Sequence, residues 1–220
     1  MARLALFDLD NTLLAGDSDH AWGEFVADLG IVDADDYRRQ NDAFYDDYCR
    51  GQLDAHAYHR FVLGPLAGRS QTELNDWHTQ FMTERVLPMV LPKAQALLAE
   101  HRAAGDVLVI VTATNDFITG QIASYLGVDH LIATRAAKDA NGLYTGEIIG
   151  EPCYREGKIT HLTAWLAHAG HSMENSIFYS DSHNDIPLLT AASKAVAVDP
   201  DDKLRAHAAA QGWDIISLRE

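Results

Sequence analysis

Cysteine is scarce in this chain: two in 220 residues, Cys49 and Cys153, without the Cys-x-x-Cys spacing of a redox or zinc site. That excludes a disulfide framework, and both read as ordinary reduced thiols. Basic residues are also few, 17 Lys and Arg against 32 Asp and Glu, for a formal net charge of −15. Nucleic-acid binding needs clustered cations that displace counterions from phosphates, so this balance argues against it. A small anion at one locally positive site is still allowed. Although 47% of the chain is hydrophobic, no apolar run approaches the eighteen or so residues that would suggest a membrane-spanning helix. The opening "MARLALFDLD" reaches Asp8 too soon for the apolar core of a secretory signal. The expectation is a cytoplasmic protein with neither nucleic acid nor membrane as partner.

Short apolar runs are present instead. "LALF" from Leu4, "VLVIV" from Val107, "IFY" from Ile177, "AVAV" from Ala195 and the terminal "DIISL" read as strands buried on both faces. Helical patterns alternate with them: "KAQALLAEHRAAG", "NDFITGQIASYLG", "GKITHLTAWLAHAG" and "DKLRAHAAAQG". Such alternation implies parallel pairing through right-handed crossovers, hence an α/β, doubly wound, Rossmann-like parallel sheet. Residues 16–88 break the rhythm with helical segments only, the last of them, residues 70–86, opening on Ser70 and Glu73 at capping-box spacing. The expected division is a core of residues 1–15 and 89–220 and a helical cap domain of residues 16–88. Asn141-Gly142 between alternating stretches predicts a β-hairpin.

Ligands of a doubly wound sheet sit beyond the carboxyl ends of its strands. The first strand exits into Asp8 and Asp10, the second into Thr112, and "IFY" into "SDSHND" with Asp181 and Asp185; Lys158 opens the preceding helix. Singly, each has a bland reading as a turn residue, helix cap or surface charge. Jointly they place four carboxylates on one sheet edge. Two carboxylates about 4 Å apart repel by roughly 4 kcal/mol at an effective dielectric near 20, so the cluster needs a cation or shifted protons. Hard oxygen ligands suit Mg²⁺, which commonly bridges carboxylates to a substrate phosphate. Lys158 and Thr112 would then serve the remaining phosphate oxygens.

"FDLDNTLL", "VIVTAT", "REGK" and "SDSHNDIPLL" resemble the four ordered motifs of the haloacid dehalogenase superfamily, and the helical insertion resembles its phosphoserine-phosphatase-like branch. The resemblance implies that Asp8 is the nucleophile, forming an aspartyl phosphate, and that Asp10 is the acid and base. It implies Mg²⁺ held by Asp8, the Asp10 carbonyl and Asp181, with Asp185 in support, and phosphate bound by Thr112, Lys158 and Asn184. The second acid, Asp10, favours a phosphatase over a mutase. Complete motifs argue against a noncatalytic phosphate-binding module.

The insertion carries six Lys and Arg against fourteen Asp and Glu, a net of −8, and so favours amines on the leaving group over further anions. Asp17 lies where phosphoserine phosphatases carry an acid for the substrate ammonium, and Arg60 matches their carboxylate-binding arginine. Ala113-Thr114 departs from the paired glycines of those enzymes. The stretch "FDLDNTLLAGDSDHAWGEF" is similar to bacterial relatives acting on histidinol phosphate. The expected substrate is therefore a small, amine-bearing phosphorylated metabolite, histidinol phosphate ahead of a phosphoserine-like ester. His56 and His59 have no partner at zinc spacing and read as surface or core residues.

Overall fold

The structure is a computed structural model and describes residues 2–219. Six parallel strands form the central sheet in the order β3-β2-β1-β6-β7-β8. They are β1 (Leu4–Phe7), β2 (Val107–Asn115), β3 (His130–Thr134), β6 (Ser176–Ser180), β7 (Lys194–Val198) and β8 (Asp214–Ile216). Because successive side chains alternate between faces, Ala5 and Phe7 join one apolar layer while Leu4 and Leu6 join the other. The first layer packs against α6 (Pro92–Ala103) and α7 (Asp116–Leu126) through Leu98, Ile118 and Ile122. The second packs against α8 (Glu156–Ala169), α9 (Ile186–Ala191) and α10 (Asp202–Gln211) through Leu162, Leu188 and Leu204. Helices on both faces make the sheet doubly wound.

Two details depart from the sequence reading. Strand β3 has no counterpart in it: "HLIAT" is short and begins with two residues not fully buried. Residues 70–86 are not one helix. Ser70 caps α4 (Gln71–Phe81) by accepting from the Glu73 amide at 3.2 Å, but Glu73 turns away to Arg69 at 2.9 Å. A π-turn over Met82–Val86 and a short α5 (Leu87–Met89) follow. Pro88 cannot donate to the carbonyl four residues back, and its ring crowds it, so the helix widens there.

Helices α1 (Ser18–Asp28), α2 (Ala34–Arg50), α3 (Ala55–Leu63), α4 and α5 all lie between β1 and β2. The chain leaves and re-enters the sheet side by side, where Leu14 bridges Val90 and the Ala15 amide donates to the Met89 carbonyl at 2.7 Å. Gly16 permits this approach, since a Cβ there would lie 2.6 Å from the Met89 sulfur. Trp22, Phe25 and Phe81 are buried together, with Trp22 edge-on to Phe81 at 5.0 Å between centroids. The hairpin forms as β4 (Ala136–Lys138) paired antiparallel with β5 (Tyr144–Ile148), and Gly142 takes a φ of 80° in its turn.

Candidate active site

The carboxyl edge of the sheet gathers groups from three strand exits and one helix. The Asp8 amide continues the ladder by donating to the Tyr179 carbonyl at 2.9 Å, so the Asp8 side chain projects just past β1. Lys158, in the first turn of α8 and buried, donates to Asp8 Oδ1 and to Asp185 Oδ2, each at 2.7 Å. Ser180 supports the second carboxylate by donating to Asp185 Oδ2 at 2.7 Å. Thr12 does the same for Asp181, donating to its Oδ1 at 2.9 Å while accepting from its amide at 3.0 Å. Asp10 is held from two sides, by the Ser18 amide on Oδ1 at 2.6 Å and by the Thr114 hydroxyl on Oδ2 at 2.8 Å.

Burial first, and charge crowding after it, sets the protonation of this cluster. Burial pushes Asp8 up to about 7 despite Lys158, with Asp185 and Asp10 adding to the rise. Burial and then the Asp17 charge push Asp10 up to about 7. Asp181 is raised by burial and by Asp8. For Lys158, burial lowers the pKa, but Asp185 and Asp8 more than reverse it, and the ammonium stays charged. Among the described residues, no side-chain donor reaches Asp8 Oδ2 or Asp181 Oδ2. Two carboxylate oxygens left without a donor, on acids whose pKa burial raises, with no Lys or Arg but Lys158 bonded to the cluster among the described residues, fit a hard divalent ion.

Asp8, Asp10, Asp17 and Thr112 line one cavity that opens to solvent. Asp181 and Asn184 line a neighbouring one, and Tyr45 and Tyr48 of α2 border both.

Some expected residues stand otherwise than the sequence implied. Asn184 is not free toward the Asp8 cavity: it accepts from the Tyr154 hydroxyl at 3.1 Å and donates to the Tyr48 carbonyl at 3.2 Å, tying the loop to α2. Arg60 is exposed and lines no part of that cavity. Its neighbour His59 takes the inward face of α3 with Val62 and Leu63, and Arg60 lies about 100° round the helix. Asp17 does line the cavity, but as N-cap of α1 its Oδ1 accepts from the Asp19 and His20 amides at 2.9 and 2.8 Å. His183 accepts no role at the cavity; its ring meets Asp201 at 2.7 Å. Thr12, Thr114, Ser180 and Asp19 escaped the sequence reading. Thr12, Thr114 and Ser180 had a signal, as hydroxyls inside "FDLDNTLL", "VIVTAT" and "SDSHNDIPLL".

Comparison with known proteins agrees with this geometry. The family model described as haloacid dehalogenase-like hydrolase matches residues 5–190. The chain is 42% identical to a protein of Neisseria meningitidis named histidinol-phosphatase, over the full length of both. A crystal structure of a protein with unknown function from Bordetella pertussis Tohama I superposes with a TM-score of 0.92 at 45% identity, covering 99% of each chain. A substrate-bound phosphoserine phosphatase shares the fold at TM-score 0.72 and 19% identity, covering all of this chain and 95% of that one. The chain belongs to the haloacid dehalogenase-like hydrolase family and is a phosphatase of that family.

Proposed function

We propose that the protein is a Mg²⁺-dependent phosphomonoesterase that hydrolyses a small amine-bearing ester, histidinol phosphate in preference to a phosphoserine-like one, through an aspartyl phosphate. The observation that carries this reading is Lys158 bridging Asp8 and Asp185 at 2.7 Å beside an independently held Asp10. Asp8 would attack phosphorus as the ester oxygen leaves, and Asp10, protonated near neutrality, would give that oxygen its proton. Asp10, now a base, would take a proton from the water that cleaves the phosphorus–oxygen bond of the aspartyl phosphate, regenerating Asp8. Lys158 and Thr112 would neutralise and hydrogen-bond phosphoryl oxygens. Mg²⁺, which Asp8 and Asp181 are the residues to hold with Asp185 behind, would supply charge neutralisation that lets an anionic nucleophile approach an anionic ester. Residues 16–88 would act as the lid over this chemistry.

Two observations support the substrate class. A relative that shares 42% of its residues with this chain is named histidinol-phosphatase. No Lys or Arg lines the cavity among the described residues, so a carboxylate on the leaving group would lack a counterion there. Phosphate release from histidinol phosphate, phosphoserine and p-nitrophenyl phosphate with Mg²⁺ tests the proposal, and a preference for phosphoserine would overturn its substrate part. Asp8→Asn is expected to lower turnover by about 10³-fold or more with the melting temperature retained; near-normal hydrolysis would remove Asp8 as nucleophile.

A further inference from the structure

Among the described residues nine buried side-chain polar atoms have no hydrogen-bond partner, and three of them belong to residues lining the cavity that holds Asp8 and Asp10. The three are Asp19 Oδ1, Asn41 Oδ1 and His59 Nδ1. The residues are 6%, 1% and 2% exposed. An orphaned buried polar atom carries the full cost of its lost hydration, and native structures leave few of them. These three come from α1, α2 and α3, so no single turn or cap accounts for them.

The chemistry of the set is one-sided. Asn41 donates through Nδ2 to the His20 carbonyl at 2.9 Å, which leaves its Oδ1 as a free acceptor. The position is built into the helix packing: a Cβ on Gly23 would lie 2.4 Å from the Asn41 amide, so α1 and α2 approach closely there. Asp19 brings a carboxylate oxygen. Its neighbour in sequence, Asp17, has Oδ1 committed to two amides of α1. Thr114 donates to Asp10 and also adjoins Asp19, which sets the acceptors beside the acid that would protonate the leaving oxygen. Phe44 and Tyr58, with ring centroids 5.4 Å apart, wall the same cavity with aromatic surface, and the Tyr58 hydroxyl, like that of Thr114, adjoins the Asp19 carboxyl. Two fixed polar groups stand next to aromatic faces, without a Lys or Arg among the described lining residues. One of them is a carboxyl that burial and then Asp17 push toward the protonated form, and the set suits a ligand that brings N–H donors and a positive charge to hold that carboxyl ionised.

We propose that Asp19 and Asn41 are the specificity-determining residues of this enzyme, receiving the N–H groups of a protonated nitrogen on the leaving alcohol, with His59 closing the subsite. The proposal deepens the phosphomonoesterase reading and rests on it for the position of the phosphate. It assigns to Asp19 the role that the family resemblance implies for Asp17.

The experiment has a kinetic and a binding arm. In the first, kcat/KM of wild type and Asp19→Asn is measured on histidinol phosphate and on p-nitrophenyl phosphate, which carries no cation. The ratio between the two esters is expected to fall by about tenfold or more in the variant; an unchanged ratio overturns the assignment. In the second, calorimetry compares histidinol with 3-phenylpropan-1-ol, an uncharged alcohol of similar size, on wild type and Asp19→Asn. Wild type should prefer histidinol by about tenfold or more, and the variant should lose that preference. Equal binding of the two alcohols by wild type overturns the subsite, and does so even if Asp19→Asn fails to fold. Absence of p-nitrophenyl phosphate turnover by wild type, with selective histidinol binding intact, would defeat the phosphatase reading and leave the subsite standing.

Discussion

Gly157 offers a way to move Lys158 without touching it. A Cβ at this position would lie 2.1 Å from the Pro152 carbonyl oxygen, a separation real side chains do not show, and relief needs about 1 Å of movement. Pro152 cannot yield readily, because the other end of the same peptide, the Cys153 amide, donates to the buried Thr134 hydroxyl at 2.9 Å. The intervening turn is already tight: Arg155 has a φ of 52°, and the Gly157 amide donates to the Tyr154 carbonyl at 2.8 Å. The start of α8 must therefore shift, carrying Lys158 with it. Withdrawing the ammonium by about 1 Å from two carboxylates now at 2.7 Å weakens each attraction by about 1.5 kcal/mol at an effective dielectric near 20. The sum, about 3 kcal/mol, corresponds to roughly a hundredfold in rate if the transition state depends on that position. The assay is kcat/KM for p-nitrophenyl phosphate on Gly157→Ala, taken well below its melting temperature so that only folded protein is compared. Wild-type kcat/KM in this variant would refute the argument that the Gly157–Pro152 contact positions the lysine.

Two further outcomes follow from the same geometry. Thr114→Val removes the 2.8 Å donor to Asp10 Oδ2 and should lower kcat by about tenfold or more with little change in KM, while Thr114→Ser, which keeps the hydroxyl, should restore most of it; failure of the serine to rescue would make the role one of packing. His59 makes stability depend on pH: burial, with His56 adding, lowers its pKa to about 4, below the roughly 6.5 of an unfolded chain. Protons then bind the unfolded state preferentially, so the contribution is full above about pH 6.5 and is lost as pH falls toward about 4, roughly 2 kcal/mol of it by about pH 5. Denaturant midpoints of wild type and His59→Gln at about pH 7.5 and about pH 5 isolate this contribution from those of the carboxylates, and parallel losses in the two proteins would contradict it.

The sheet was legible where burial on both faces leaves a continuous apolar run. Strands β1, β2, β6 and β7 carry such runs, and their order in the chain, with helices between, leaves few topologies once crossovers are right-handed. Strand β3 was not, because an edge strand is covered on one side only, and its two leading residues tolerate polarity. The break after α4 was equally hidden by residue pattern, since Met82–Val86 has ordinary helical composition and only Pro88 disturbs the register.

The site divides along a similar line. Asp8 and Asp181 directly follow β1 and β6, Asp10 lies in the turn after β1, and Thr112 lies within the last residues of β2, which runs on to Asn115. Their place at one edge is therefore dictated by parallel pairing, with Phe7 opposite Ile110 and Tyr179 in register. Local sequence suffices to put them there. The polar groups of α1, α2 and α3 have no such frame. Which residue of a helix faces the cavity depends on how that helix rotates against its neighbours, and a shift of one position turns the side chain by about 100°. That rotation separates Arg60, exposed, from His59, buried, and the Asp17 that caps α1 from the Asp19 whose oxygen is left over. It is decided by contacts far apart in the chain, such as Asn41 against Gly23 and Trp22 against Phe81. On the assignment proposed above, the chemistry sits on the element whose geometry a short motif can specify, whereas discrimination among esters would sit on helices whose facing is set by tertiary packing. Substrate preference would then change through repacking of residues 16–88 while Asp8, Asp10 and Lys158 stay where the sheet and α8 put them.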